Sequence, residues 1–248
     1  MRPHIPFLDT GAMAWTEVMP GLMTKMLSRD GVTGARTALN RIVPELNPPV
    51  PTKAHYHHTT EELLVISGRM SFDSQIWLTP GGYVFHPAET VHGFKSSVSE
   101  DTQFLSRVGR DLDFNWVEHP QATKPYHVSP QPPRRAVACL AEPDQLKWEP
   151  MPGALGRVER TELSRDPVTG EGSMFVRYAV ESATPQVMGL LAYEEMFVLD
   201  GTLGTDDGRL FQAGCYAFWP PGGTPRPQLT ALKPTVAYVN VGGWLERR

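Results

Sequence analysis

The heptapeptide GGYVFHP, which begins at residue 81, returns as GCYAFWP beginning at residue 214. The same offset separates the acidic pair Glu61-Glu62 from the pair Glu194-Glu195. Two shorter blocks also recur, at nearly the same offset: Met19-Pro20-Gly21 as Met151-Pro152-Gly153, and Ser28-Arg29-Asp30 as Ser164-Arg165-Asp166. Four blocks that recur in one order indicate an internal duplication rather than chance repetition.

The duplication predicts two domains of moderate size. The chain has 248 residues, of which 40% are hydrophobic and 20% are charged, so it can form packed cores and is not disordered. Two copies are too few for a solenoid, which needs at least three stacked units. We expect an N-terminal domain at residues 1–112 and a C-terminal domain at residues 146–248. Residues 113–145 contain six prolines and are predicted to form a linker.

Both copies have the pattern of all-β domains. Their apolar and β-branched segments are short, are bounded by turn residues, and show no sustained helical period. The chain is also rich in turn formers, with 24 Pro and 22 Gly. Each copy is therefore predicted to be a small β-sandwich or β-barrel. Predicted strands lie at residues 38–43, 63–66, 75–78, 83–86, 174–180, 196–199, 216–219 and 236–241.

Charge and hydropathy argue against nucleic acid and membranes as binding partners. The net charge of −4 and the pI near 6.1 argue against nucleic acid, because phosphate binding needs a clustered positive field. No apolar run approaches the roughly 18 residues of a membrane span, and the first residues contain no apolar signal core. Cys139 and Cys215 lie in no CxxC motif and are expected to be reduced thiols. We therefore expect a cytoplasmic protein that does not bind membranes.

The first copy contains a pattern of potential metal ligands. It reads HYHHTTEELLVISG from residue 55 to 68, and GGYVFHPAETVH from residue 81 to 92. On an extended strand His55 and His57 point to the same face, and Glu61 keeps that parity. His92 follows on a later strand. Three imidazoles and one carboxylate that converge inside a barrel form a ligand set for a divalent transition metal.

These two motifs, HxHxxxE and GxxxxxPxxxxH, resemble the paired motifs of the cupin superfamily, and the repeat makes the whole chain resemble a bicupin. The resemblance implies two tandem cupin-type barrels, also described as double-stranded β-helices or jelly rolls. It implies one metal per chain, held by His55, His57, Glu61 and His92, and a homodimer formed through exposed strand edges. One departure is Glu89, which stands where the family usually has the glycine of a PxG turn.

Other residues near the motifs remain alternatives. A shift in strand register would replace Glu61 by Glu62 and bring in His58 as a ligand, although strand parity and the spacing to Gly68 favour Glu61. Glu62, His86 and Phe94 are candidates for the surroundings of the metal: Glu62 to orient an imidazole, His86 as a ligand or proton shuttle, and Phe94 as part of the pocket wall.

The second copy is predicted to have lost the metal. The offset between the two heptapeptides maps the four ligands onto Met188, Leu190, Glu194 and Pro225, of which only the glutamate is the same residue type. We interpret this domain as a degenerate cupin that serves as a scaffold. The alternative is an apolar ligand pocket with a regulatory role, for which the sequence contains no positive evidence.

The first block also resembles a cupin sub-family that includes anti-sigma-factor domains and small carbon–carbon-cleaving dioxygenases. The function favoured is therefore a metal-dependent enzyme acting on a small organic molecule, with Fe²⁺ for a dioxygenase. Zn²⁺, Mn²⁺ or Ni²⁺ in the same ligand set would instead act as a Lewis acid. The alternatives are a metal-binding sensor or regulator, and a non-oxidative isomerase, lyase or hydrolase.

Overall fold

The computed structural model describes residues 1–46, 48, 50–222 and 225–243. Within these residues the chain forms two compact units. The N-terminal barrel consists of Ala14–Gln145, and the C-terminal barrel consists of Met1–Met13 together with the chain from Leu146 onward. None of the helices in the described residues is long and apolar enough to cross a membrane. Cys139 and Cys215 are both free thiols.

Strands dominate both units, and the only helices in the described part of the chain are three short 3-10 turns, at Thr10–Ala12, Pro44–Leu46 and Pro143–Gln145. Strands β1 to β15 are Ile5–Asp9, Thr16–Met19, Leu22–Arg29, Arg36–Ile42, His55–Tyr56, Glu61–Ser67, Met70–Ser71, Trp77–Leu78, Tyr83–His86, Thr90–Val91, Ser97–Val98, Thr102–Val108, Asn115–Trp116, Tyr126–His127 and Ala138–Leu140. Strands β16 to β25 are Glu149–Pro150, Val158–Arg165, Gly172–Tyr178, Ala183–Thr184, Glu194–Asp200, Thr202–Gly204, Leu210–Gln212, Cys215–Trp219, Leu229–Ala231 and Thr235–Val241.

The N-terminal barrel is built on a seven-stranded antiparallel sheet in the order β15-β9-β6-β12-β4-β3-β2. A three-stranded sheet, β11-β7-β8, and the strand pairs β10-β14 and β13-β5 complete the unit. The apolar core contains Leu63, Val65 and Phe104 from the large sheet and Met70 and Leu78 from the three-stranded sheet. The two sheets therefore bury one face against each other, as a cupin-type barrel requires.

The C-terminal barrel has the same plan. Its seven-stranded sheet runs β1-β23-β20-β25-β18-β17-β16, and its second sheet runs β19-β24-β21-β22. The core contains Val198, Trp219 and Val239 from the large sheet and Leu203 and Leu229 from the smaller one. The predicted all-β class with two tandem cupin-type barrels is confirmed.

The structure differs from the predicted domain boundaries in two places. Residues 1–13 do not belong to the N-terminal barrel, because β1 pairs with β23 of the C-terminal barrel. Residues 113–145 are not a free linker, because β13, β14 and β15 pair with β5, β10 and β9 of the N-terminal barrel. The strands β1 and β15 lie at equivalent ends of the two large sheets, so the two halves of the sequence exchange their first strands.

A buried cluster of charged and aromatic residues accompanies each exchanged strand. In the N-terminal barrel, Arg135 donates to Oε1 of Glu62 at 3.0 Å and to the Tyr83 hydroxyl at 3.1 Å. Its guanidinium also lies 3.7 Å from the ring centre of Phe85. Arg107 donates to the other carboxylate oxygen of Glu62 at 3.2 Å. The buried carboxylate of Glu62 is thus neutralised by arginine side chains, as a charge in a protein interior requires.

The C-terminal barrel repeats this cluster at the offset of the two heptapeptides. Arg2 donates to Oε2 of Glu195 at 2.7 Å and to the Tyr216 hydroxyl at 2.8 Å, and its guanidinium lies 4.2 Å from the ring centre of Phe218. Arg2 and Arg135 are themselves separated by this same offset. The exchanged strands and their arginines are therefore part of the duplicated unit.

The turn after Pro87 keeps its shape although glycine is missing from it. Glu89 has a φ of +61°, and Gly222 at the equivalent turn of the C-terminal barrel has a φ of +65°. This left-handed conformation is strained for a residue with a Cβ atom, by about 1–2 kcal/mol. The backbone amide of Glu89 donates to the carbonyl of His57 at 2.7 Å, so the strained turn positions a predicted metal ligand.

The arginine cluster makes a prediction for stability. We expect Arg135→Met to lower the free energy of unfolding of the N-terminal barrel by about 3 kcal/mol, because removing one partner leaves a buried carboxylate undercompensated. The control is Arg134→Met, which changes an exposed neighbour and should cost no more than about 0.5 kcal/mol. Urea unfolding followed by tryptophan fluorescence measures both. Equal effects of the two substitutions would contradict the role given to Arg135.

The strain at Glu89 predicts a substitution that raises the free energy of unfolding. Glu89→Gly should stabilise the N-terminal barrel by about 0.5–1 kcal/mol, because glycine relieves the left-handed strain but loses more chain entropy on folding. Gly222→Ala is the matched substitution: its Cβ would meet no atom within 4 Å, so only the backbone strain acts, and it should destabilise the C-terminal barrel by about 1 kcal/mol. Differential scanning calorimetry compares the two, and a loss of stability in Glu89→Gly would refute the interpretation.

Candidate metal centre

The backbone brings the predicted histidines together at one end of the N-terminal barrel. His55 on β5 and His92 just after β10 exchange backbone hydrogen bonds of 3.0 and 2.8 Å. His57 is held by the turn at Glu89. Gly93 has a φ of +70°, and a Cβ atom there would lie 2.4 Å from Cε1 of His55. Only glycine therefore allows the chain to pass this close to the His55 imidazole.

Each of the three imidazoles is anchored through its Nδ1 atom. Nδ1 of His55 lies 2.9 Å from the carbonyl oxygen of Lys53, and Nδ1 of His92 lies 2.8 Å from that of Thr90. Nδ1 of His57 makes a short contact with the carbonyl oxygen of Asp113. A carbonyl can only accept, so each Nδ1 carries a proton, which leaves Nε2 as the atom that can bind a metal. This arrangement is typical of metal-binding histidines.

The potential ligand atoms of His55, His57 and His92 all lie within 4.8 Å of one another. The Nε2 atoms of His57 and His92 are buried and have no hydrogen-bond partner among the described residues. Burial lowers the pKa of His55 to about 4, so its imidazole is neutral at pH 7, as a ligand must be. Buried polar atoms without partners are rare, and a metal would satisfy them. The residues therefore fit a divalent transition metal.

Glu61 supplies the carboxylate at this cluster. Its Oε2 atom lies 3.0 Å from Nε2 of His92, without hydrogen-bond alignment, and its Oε1 atom lies 4.0 Å from Nε2 of His57. Burial acts to raise the pKa of Glu61, but the neighbouring His86 and His92 imidazoles outweigh it and hold the pKa well below its usual range. Glu61 is thus an anion that faces the histidines, as the strand parity predicts.

His86 contacts two of the predicted metal ligands, His92 and Glu61. Its ring stacks on that of His92 with centroids 4.0 Å apart, and its Nδ1 atom lies 3.5 Å from Oε2 of Glu61. Glu61, His86 and His92 form a second group whose potential ligand atoms lie within 4.8 Å of one another. Burial lowers the pKa of His86 to about 4. The structure therefore offers two overlapping triads that share His92.

Aromatic rings that the sequence did not reveal surround the cluster. Phe114 lies 4.8 Å from the His57 ring and 5.1 Å from the His55 ring, and it stacks on Trp116 at 5.5 Å. Phe72 packs edge-on against His86 at 5.2 Å. Phe114 and Trp116 come from the segment predicted as a linker, where only the pairing of β13 with β5 reveals their role.

Three sequence candidates lie elsewhere. Glu62 points to the opposite face of β6, into the arginine cluster, and so it is not placed to orient a ligating imidazole or to replace Glu61. His58 is exposed, and its Nδ1 atom contacts the Asp113 carboxylate. Phe94 lies half-buried in a turn, and the rings that pack on the imidazoles are those named above.

The C-terminal barrel places an arginine where the first barrel has a histidine. The backbone bridge between His55 and His92 recurs as a bridge between Val187 and Arg226. Nε of Arg226 lies 3.0 Å from Oε1 of Glu194, the equivalent of Glu61, and both side chains are mostly buried. A guanidinium thus provides the positive charge that faces the carboxylate.

This bridge corrects two positions of the predicted mapping. Val187 and Arg226, rather than Met188 and Pro225, lie at the places of His55 and His92, and Met188 is 73% exposed. The predicted match of Leu190 to His57 agrees with the backbone, because Gly222 donates to the Leu190 carbonyl as Glu89 does to that of His57. With no imidazole at these positions, the C-terminal barrel lacks the ligand set of the first.

Solved structures with a similar fold include several enzymes. A candidate dioxygenase from Nostoc punctiforme aligns with a TM-score of 0.71 and 17% identity, over 98% of this chain and 84% of the other. The salicylate 1,2-dioxygenase of Pseudaminobacter salicylatoxidans gives 0.60 and 12%, over 88% and 76%. A deletion mutant of Bacillus subtilis oxalate decarboxylase gives 0.52 and 12%, over 95% and 76%. At these identities the likeness concerns the fold.

The sequence itself points to one family. None of the curated proteins matches it. The family model described as the ChrR cupin-like domain matches twice, at residues 6–109 and 137–242. Each matched stretch begins at or next to an exchanged strand, so one family repeat contributes to both barrels. The chain therefore belongs to the ChrR cupin-like family and consists of two tandem cupin domains.

Proposed function

We propose that the N-terminal barrel holds one divalent transition metal on His55, His57, Glu61 and His92, and that the protein is an Fe²⁺ dioxygenase acting on a small organic molecule. The observation that carries the metal site is the common orientation of the three imidazoles. All three are anchored at Nδ1 by a backbone carbonyl, and two of them have a buried Nε2 atom without a partner among the described residues.

The chain's own residues would prepare this centre for oxidative chemistry. A bound ferrous ion would supply the redox chemistry that activates dioxygen, and three imidazoles with one carboxylate would leave open positions for substrate. Glu61 contributes the single negative charge. His86 lies beside Glu61 and would restrict the orientation of its carboxylate. Phe72 and Phe114 pack on the imidazoles and would keep water from them, which strengthens electrostatic interactions in the site.

The aromatic wall supports a flat substrate. Phe114 and Trp116 are stacked with an angle of 22° between their planes, and about half of each side chain is exposed. Such a pair offers a surface on which a planar ring or enol can lie. One structural neighbour is a salicylate 1,2-dioxygenase, and a mutant of the same enzyme has been solved in complex with gentisate. We therefore propose hydroxyaryl compounds and enolisable diketones as the substrate class.

Metal binding gives the first test. Protein purified without chelator and loaded with Fe²⁺ under anaerobic conditions should contain one equivalent of metal per chain, measured by elemental analysis. The double variant His55→Ala/His57→Ala should lose it while the circular dichroism of the barrels is unchanged. Two equivalents in the unmodified chain would show that the C-terminal barrel also binds metal, against the argument from Arg226.

Two single variants serve as controls for this test. His58→Ala changes an exposed histidine beside the ligands and should leave the stoichiometry at one. His86→Ala separates the two triads, because it removes a member of the second and leaves the proposed four ligands intact. We expect it to weaken binding without abolishing it. Retention of a full equivalent in His55→Ala/His57→Ala, with its loss in His86→Ala, would assign the metal to the second triad instead.

Oxygen consumption tests the reaction. The Fe²⁺-loaded protein should take up dioxygen with one or more of salicylate, gentisate, β-diketones and hydroxyaryl ketones, as measured with an oxygen electrode, and His55→Ala/His57→Ala should not. Turnover of a substrate without oxygen uptake would refute the dioxygenase and favour a non-oxidative lyase or hydrolase. One equivalent of metal with no turnover across the panel would favour the sensor alternative.

A further inference from the structure

The C-terminal barrel contains a cavity that the metal site does not explain. Its volume is about 270 Å³, and Met151, Met174, Leu190 and Val241 form much of its wall. Glu194 also lines it. A cavity of about 150 Å³ with apolar walls is enough to bind benzene. The space in this barrel therefore suits a larger molecule, of about two fused rings.

A second cavity of about 40 Å³ lies deeper in the barrel and shares Met151, Met174, Glu194 and Val241 with the first. The remaining wall includes Arg226 and buried apolar side chains of the core. Glu194 thus stands where the outer cavity meets the barrel interior. A molecule in the outer cavity would contact apolar side chains on its sides and a carboxylate at its inner end.

The two terminal nitrogens of Arg226 are committed within the barrel. Its Nη1 atom donates to the Thr184 hydroxyl at 3.2 Å and to the Pro227 carbonyl at 3.2 Å, and its Nη2 atom donates to the Pro185 carbonyl at 3.1 Å. Only its Nε faces Glu194, 3.0 Å from Oε1, and this contact lacks hydrogen-bond alignment. Among the described residues, no hydrogen bond reaches either carboxylate oxygen of Glu194, and its Oε2 atom also has no ion-pair contact.

The charged residues around the cavity determine which polar group a ligand can carry into it. A carboxylate ligand would meet Glu194, and burying two like charges together is unfavourable. An ammonium ligand would meet Arg226 at the inner end. Along the wall it would meet Arg160 and Arg165, and the one wall carboxylate beside Glu194, that of Glu162, is already paired with Arg165 at 3.4 Å. A neutral hydroxyl avoids both penalties and can donate to the carboxylate oxygen. Burial raises the pKa of Glu194, and a hydroxyl can also accept from the protonated form.

We propose that the C-terminal barrel is a second ligand site, which binds a neutral and mainly apolar molecule of about two rings through one hydroxyl group held by Glu194. The site is independent of the metal in the N-terminal barrel. The degenerate cupin thereby has a binding role of its own in addition to its role as a scaffold.

Three probes of one shape test this site by isothermal titration of the full chain: 2-naphthol, naphthalene and 2-naphthoate. We expect 2-naphthol to bind about tenfold more tightly than naphthalene, which lacks the hydroxyl, and 2-naphthoate to bind more weakly than either. Because 2-naphthol is itself a hydroxyaryl compound, the test uses His55→Ala/His57→Ala as well, where the proposed N-terminal site is disabled: one equivalent of 2-naphthol should still bind, with the same order of affinities among the three probes. Loss of 2-naphthol binding in that variant would place the molecule in the N-terminal barrel and overturn the proposal.

Substitutions inside the cavity test separately its free volume and its carboxylate. Met174→Trp should fill the space and abolish binding of all three probes. Glu194→Gln keeps the shape but removes the charge, so it should reduce the preference for 2-naphthol and raise the affinity for 2-naphthoate at least threefold. Glu149→Gln, an exposed glutamate on β16 outside the cavity, should change neither.

The folding of the variants is checked by their circular dichroism and melting temperature. Undiminished binding in a folded Met174→Trp protein would refute the site. Equal affinities for 2-naphthol and naphthalene, or a Glu194→Gln protein with unchanged selectivity, would refute the role of the carboxylate. Absence of binding by the unmodified chain up to the solubility limit of 2-naphthol would overturn the proposal as a whole.

Discussion

Two consecutive glutamates on one buried strand impose the main constraint on each barrel. Side chains alternate along a strand, so Glu61 and Glu62 point to opposite faces and both carboxylates leave bulk water. A buried carboxylate is tolerated only with positive or hydrogen-bonding partners. Glu62 obtains them from arginines, one of which arrives on the segment that carries the exchanged strand. Glu61 obtains them from imidazoles. The fold therefore has to bring distant parts of the chain to both faces of β6.

The second barrel also has to provide partners for two buried glutamates, but on one face of the strand it uses a different residue type. This difference gives the two barrels different chemistry. Glu195 pairs with Arg2 as Glu62 pairs with Arg135, so the outer cluster is retained. On the inner face Glu194 meets a guanidinium that is part of the chain. Glu61 instead faces imidazoles, whose Nε2 atoms are available to a metal. The first barrel can complete its charge balance with a metal, whereas the second has completed it with Arg226.

Much of this could be predicted from the sequence, because the features concerned are local. The duplication and the strand at residues 83–86 follow from spacing and pattern, and the structure agrees with them. Parity also predicts that Glu61 and Glu62 lie on opposite faces of one strand, and only Glu61 lies beside the histidines. The exchange of β1 and β15 could not be predicted, because strand pairing across the chain leaves no local pattern. Arg226 could not be identified from the sequence as the counterpart of His92. The offset between the two copies changes within the site, and the fixed offset points to Pro225 instead.

The segment at residues 113–116 shows how such non-local placement decides the properties of a site. Its Asp113 carbonyl accepts from Nδ1 of His57, and its Asp113 carboxylate binds His58. Phe114 packs over His55 and His57, and Trp116 pairs with His55 through β13. Four residues thus fix the tautomer of one imidazole, cover two of them and close the barrel edge beside them. Proline-rich composition predicts a linker here, but these simultaneous contacts with residues 55–58 make the segment part of the candidate metal centre.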